Sequence, residues 1–155
     1  MNNEQMAAFA AAMNRPGQRI LAREFFIYST PRTSIASGAQ AIAQISVQAD
    51  ADFLIEKTTY AADVAAAQQT DSTRVIPNVK AMLTITGSGR QLLNIEAPIP
   101  NFFGTGELPF IWPRPYPVPA SSTLQVNFLS YEASATDLIT LSFIGQKIFW
   151  GNPVG

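Results

Sequence analysis

The chain has no cysteine and no histidine. The first absence excludes disulfides, thiolate nucleophiles and zinc–thiolate sites. The second removes the usual general base, the commonest metal ligand and the side chain that titrates near neutral pH. A Ser-His-Asp triad cannot be assembled from this chain alone. Charge is scarce as well. Asp, Glu, Lys and Arg make up 14% of 155 residues, against about 25% in an average soluble domain. A surface this poor in charge often has part of itself covered by another molecule. A net charge of −1 and a pI of about 5.3 leave no electrostatic footprint for nucleic acid. The basic residues are scattered, and the one local group, Arg15, Arg19 and Arg23, is read as a solvated stretch. No apolar run reaches the length of a membrane helix. The N-terminus carries Glu4 and a short, alanine-heavy apolar stretch, and does not read as a signal peptide.

Proline is abundant, and it is concentrated in one place. Seven of the eleven prolines lie between Pro98 and Pro119, interleaved with aromatics. Proline cannot donate to a sheet ladder or continue a helix. The segment therefore reads as a stiff apolar crossing between strands, with Phe110-Ile111-Trp112 pairing briefly at an edge. Its prolines blunt that edge, and aromatic side chains are what it leaves accessible.

Residues 3–14 predict a short helix. Asn3 can cap it, Glu4 suits its positive end, and Met6, Phe9, Ala10 and Met13 form one apolar stripe. Asn14-Arg15-Pro16-Gly17 ends it. A helix this short needs a surface to dock on, its own domain or a neighbour's.

The rest alternates like β-structure. Strands are predicted over Phe25–Thr30, Ala41–Gln48, Phe53–Tyr60, Val79–Thr86, Gln91–Glu96, Ser122–Leu129 and Leu138–Trp150, the last bent at Gly145 into two strand lengths. Arg32–Gly38 and Asp50–Asp52 read as turns, Gly87-Ser88-Gly89-Arg90 as a hairpin turn, and residues 61–74 as a surface loop tipped by Gln68–Ser72. The expected fold is all-β: an antiparallel β-sandwich of about eight strands, residues 18–155, behind an N-terminal helical arm, residues 1–17. Jelly-roll order is the leading topology and an immunoglobulin-like order the alternative.

Candidate chemistry is thin. Asp50 and Asp52 could offer oxygens to a hard cation, but a turn with solvated carboxylates explains them. Glu56, Asp63, Glu96 and Glu107 are available for a glycosidase pair, yet no spacing selects two of them; Glu96 and Glu107 flank the proline segment. Trp112, Tyr116 and Trp150 are the sharpest choices. Such aromatics can pack a core, anchor a protein interface or stack on sugar rings. Arg114, held extended between Pro113 and Pro115, can reach a partner carboxylate or solvent.

Three features of the second half carry a resemblance: the aromatic–proline approach Phe110–Pro119, the Pro-x-Ser-Ser-x-Leu opening at Pro119–Leu124, and the Leu-x-Phe-x-Gly-x-Lys-x-Phe closing strand at Leu141–Phe149. Together they resemble the C-terminal half of small tailed-bacteriophage virion proteins of the jelly-roll cement, decoration or adaptor type. The arm with its Pro-Gly hinge is similar to those such proteins lay over a neighbouring subunit.

The resemblance implies a non-enzymatic assembly role in the virion. The partners would be further copies of the chain and a major capsid or neck protein. No cofactor, metal, nucleic acid, membrane or small-molecule substrate is implied. The expected interface residues are Met6, Phe9 and Met13 on the arm, and Phe110, Trp112, Arg114 and Tyr116 on the proline segment. The alternative is a carbohydrate-binding jelly-roll module using Trp112 and Tyr116.

Overall fold

The computed structural model describes residues 2–86 and 90–152. Helix α1 runs Asn3–Ala12 and is capped by Asn2, one residue earlier than expected. The reason is reciprocal bonding. The Asn2 side chain accepts from the Gln5 amide at 2.8 Å, and the Gln5 side chain accepts from the Asn2 amide at 2.9 Å.

Ten strand segments follow: β1 Arg19–Ser29, β2 Thr33–Ile35, β3 Gln40–Ser46, β4 Asp52–Val64, β5 Val79–Thr86, β6 Arg90–Gln91, β7 Ala97–Pro98, β8 Phe110–Val118, β9 Thr123–Ser130 and β10 Asp137–Gly151. They form two sheets. The first has the order β1-β10-β4-β8, with β2 also on β10; the second has β3-β9-β5-β6, with β7 also on β5. Every strand pair is antiparallel. The molecule is thus mostly β, in two antiparallel sheets, with a short N-terminal helix.

Alternation builds the core. On β9, Leu124, Val126 and Phe128 are buried while Gln125 and Asn127 are not; β5 and β10 alternate in the same way. Phe53, Phe103, Phe128 and Phe143 are the largest fully buried side chains. Phe103 comes from the proline segment and meets Phe143 edge-on at 5.6 Å. The segment therefore supplies part of the core as well as the surface.

Several boundaries differ from the sequence reading. β1 begins at Arg19, well before Phe25, and β2 lies inside the expected polar turn. β4 runs on to Val64, taking the first residues of the expected 61–74 loop, because β10 offers a ladder down to Asp137 opposite Val64. Gln68–Ser72 are exposed as a loop tip. The returning strand over Gln91–Glu96 shrinks to β6. Adjacent Leu92 and Leu93 both pack against the core, which strict alternation forbids. The turn expected at 87–90 falls on residues 87–89, outside those described.

β10 is one strand of 15 residues, not two. The bend predicted at Gly145 is a bulge in its partner. Ile144 faces Lys57 and Gly145 faces Ile55, so Glu56 is the extra residue. β8 is nine residues rather than the three expected.

Candidate functional site

β8 is the edge of the first sheet, and its geometry follows from its prolines. Tyr116 faces Ile55 and Ile111 faces Lys57, so residues 112–115 loop out against Glu56 alone. Pro113 and Pro115 sit in that excursion, where no ladder bond is asked of them. Exposed Arg114 lies between them and forms no ion pair among the described residues.

The excursion gathers the aromatics. Trp112 lies 6.5 Å from Phe110 and 5.9 Å from Tyr116, ring centre to ring centre. All three are half-buried and line an apolar cavity of about 330 Å³ closed by Leu83, Leu92, Leu93 and Phe102. The polar handle of Trp112 is already used. Its Nε1–H donates to Thr58 Oγ1 at 3.2 Å, and the Thr58 hydroxyl donates to the Phe102 carbonyl at 2.6 Å. The Trp112 and Tyr116 planes are inclined by 50°. They form a tilted wall rather than one flat platform for a sugar ring.

The arm residues gather at a second place. Phe9 stacks on Trp150 at 5.7 Å and 29°. Met13 and Ala10 are buried, and Met6 is half-buried. Phe9 and Met13 are therefore seated within the chain itself. Asp52, 1% exposed, ties three elements together there. It accepts from Trp150 Nε1 at 2.6 Å and from the Ala120 amide at 2.7 Å, and it lies 3.5 Å from Arg15 Nε. It fastens the hinge of the arm to the end of β10 and to the turn before β9. The cavity of Trp112 and the latch of Asp52 share no residue.

The other candidates are absorbed by packing. Asp50 pairs with Lys147 at 2.8 Å. That hydrogen bond holds its carboxyl below the usual range. Lys147 is buried, also donates to Gln48, and stands 4.3 Å over the Phe26 ring. Asp50 and Asp52 are thus engaged by different partners. Among the described residues no group of three or more metal-type ligands occurs. Asp63 and Glu107 border one recess, but Asp63 is held by Thr73 at 3.0 Å and lies 3.7 Å from Arg32. Glu56 is the bulge residue, and Glu96 lines neither that recess nor the Trp112 cavity.

Two groups escape sequence reasoning. Asp137 is fully buried, and among the described residues neither carboxylate oxygen has a hydrogen-bond partner. Burial, then the charge of Glu132, push its pKa up to about 6. The Asp52 latch was also hidden, because its donors Trp150 and Ala120 are far away in sequence. No protein-family model, curated protein or solved structure matches this chain.

Proposed function

We propose that this chain is a non-enzymatic structural virion protein with a jelly-roll sandwich. It self-associates and binds a phage capsid or neck lattice as a cement, decoration or adaptor protein. The observation that carries the fold reading is strand order. Taking β2 with β1 and β6 with β7 leaves eight strands, numbered one to eight along the chain. One sheet then runs one-eight-three-six and the other two-seven-four-five. Successive strands alternate between the sheets except at the β5–β6 hairpin, as in two nested Greek keys. An immunoglobulin-like order would keep more sequence neighbours side by side.

The assembly role is supported by how the aromatics are spent. Phe9 and Trp150 fasten the arm, Trp112 and Tyr116 fasten a sheet edge, and the cavity that Trp112 and Tyr116 border carries almost no polar group. The arm is joined by a hinge, Asn14 to Gly17, in which Asn14 has φ 57° and Gly17 φ 76°. The same contacts can be made to a neighbouring copy by exchange. The lattice assignment itself rests on the likeness of Phe110–Phe149 to phage virion proteins. Light scattering after size exclusion tests self-association. The full chain is expected as an oligomer, and removal of residues 1–17 is expected to lower its order or ease its dissociation. Identical monomers from both chains would overturn arm exchange and self-association together.

A further inference from the structure

β1 is the outermost strand of the first sheet, and no strand pairs with its far side among the described residues. Its hydrogen-bonding phase can be read from one contact. The Thr30 amide, directly after the strand, donates to the Leu141 carbonyl at 2.9 Å. Alternation then turns the main-chain groups of Glu24, Phe26 and Tyr28 toward β10. Those of Arg23, Phe25, Ile27 and Ser29 point away from it. The hydroxyl contact of Ser29 with Ser142 at 2.9 Å agrees, since close side chains mark the non-hydrogen-bonded pairs.

The other sheet edges are guarded or short. β8 carries Pro113, Pro115 and Pro117; β6 and β7 have two residues each; β3 has seven, with Ile42 its one exposed large apolar side chain. β1 has eleven residues and no proline. It exposes Leu21, Phe25 and Ile27, with Phe25 71% exposed. Arg19, Arg23 and Glu24 are exposed on it as well, but a long edge that bears apolar side chains and turns main-chain N–H and C=O groups outward is a template for another strand.

We propose that Arg23–Ile27 of β1 pair antiparallel with the same segment of a second copy about a two-fold axis. This rests on the self-association reading above and locates its contact. A two-fold makes the outward row its own complement, so no other sequence is needed. With the axis at Phe25, that ring meets its own image. Arg23 then faces the image of Ile27, and Glu24 the image of Phe26. No like charges are opposed, whereas an axis at Arg23 or Glu24 would oppose them at close range.

Two substitutions test this in the full chain. Ile27→Pro removes an outward N–H and leaves the β10 ladder intact. Phe25→Lys puts two cations at the axis on a position already exposed. Sedimentation over a concentration series is expected to show wild-type dimer formation, with Kd raised at least about tenfold in each variant. Hydrogen exchange at the Phe25 and Ile27 amides should slow as wild-type concentration rises. If Ile27→Pro does not fold, Phe25→Lys and the exchange data decide. Wild-type-like association in Phe25→Lys, with amide exchange independent of concentration, overturns β1 pairing and leaves self-association standing. A wild-type chain that is monomeric throughout overturns both.

Discussion

Asp137 shows what burial does to a carboxyl that brings no donor with it. Asp52 is just as buried, but the Trp150 indole, the Ala120 amide and Arg15 surround it. The Asp137 carboxylate has no hydrogen-bond partner among the described residues, and burial, then the charge of Glu132, raise its pKa from 3.8 to about 6. The folded chain therefore binds this proton more tightly than the unfolded one. The resulting stabilisation is complete below about pH 4 and is lost as pH rises through about 6. Asp137→Asn is expected to raise the thermal midpoint by several degrees at neutral pH and to leave it near the wild-type value at pH 4. Measuring both midpoints across that window checks it; parallel profiles would mean the carboxyl titrates normally. Gly145 is another single-residue constraint. A Cβ there would run into the Leu54 carbonyl across the bulge. Backbone cannot yield as a flexible side chain does, so Gly145→Ala should cost on the order of 3 kcal/mol. Urea unfolding would reveal it, and a cost under about 1 kcal/mol would show that the bulge relaxes.

At the scale of elements, what was legible in the sequence was whatever alternates. β5 and β9 match their expected bounds to within a residue because Val79–Thr86 and Thr123–Ser130 switch faces at every step. The sequence predicts only three residues of β8, because proline argues against a strand. Pairing resumes at Tyr116–Val118 only because the excursion absorbs Pro113 and Pro115. Two core contributions were equally hidden. Phe103 reaches the core because Gly104 sits tight against β4, exchanging hydrogen bonds with Thr58 and Tyr60 at 3.1 and 2.7 Å. Leu92 and Leu93 leave the sheet to line a cavity. The arm was legible as a helix, but its seat was not, since Trp150 lies at the far end of the chain. That seat is small. Its aromatic stack contributes on the order of 1 kcal/mol beyond burial. Phe9→Ala should therefore loosen α1 alone. Hydrogen exchange is expected to show lost protection over Asn3–Ala12 with β4 and β10 unchanged; a general loss would mean that the arm braces the whole sandwich.

At the scale of the whole molecule, strand order and charge combine. Because neither sheet closes on itself, the sandwich has four edges among the described residues: β1 and β8 on one sheet, β3 and the β6–β7 side on the other. A chain with 14% charged residues has few charges with which to discourage unwanted contacts there. It guards β8 with proline instead. Its ion pairs among the described residues are within the chain: Arg15 with Asp52, Arg32 with Asp63, Arg74 with Asp71 and Lys147 with Asp50. Beside the exposed charges Arg19, Arg23, Glu24 and Arg114, the edge strands expose the large apolar side chains Leu21, Phe25, Ile27, Ile42 and Ile111. Association built from such groups and main-chain hydrogen bonds has little long-range electrostatic content. Salt screens exposed charges but leaves apolar burial intact or strengthened. The oligomer should therefore keep its mass when NaCl is raised from about 50 to about 500 mM, a range over which exposed charge pairs are progressively screened. Light scattering in both buffers checks this. Dissociation at the higher concentration would move the contact to the exposed cations Arg19, Arg23 and Arg114, and away from the apolar side chains.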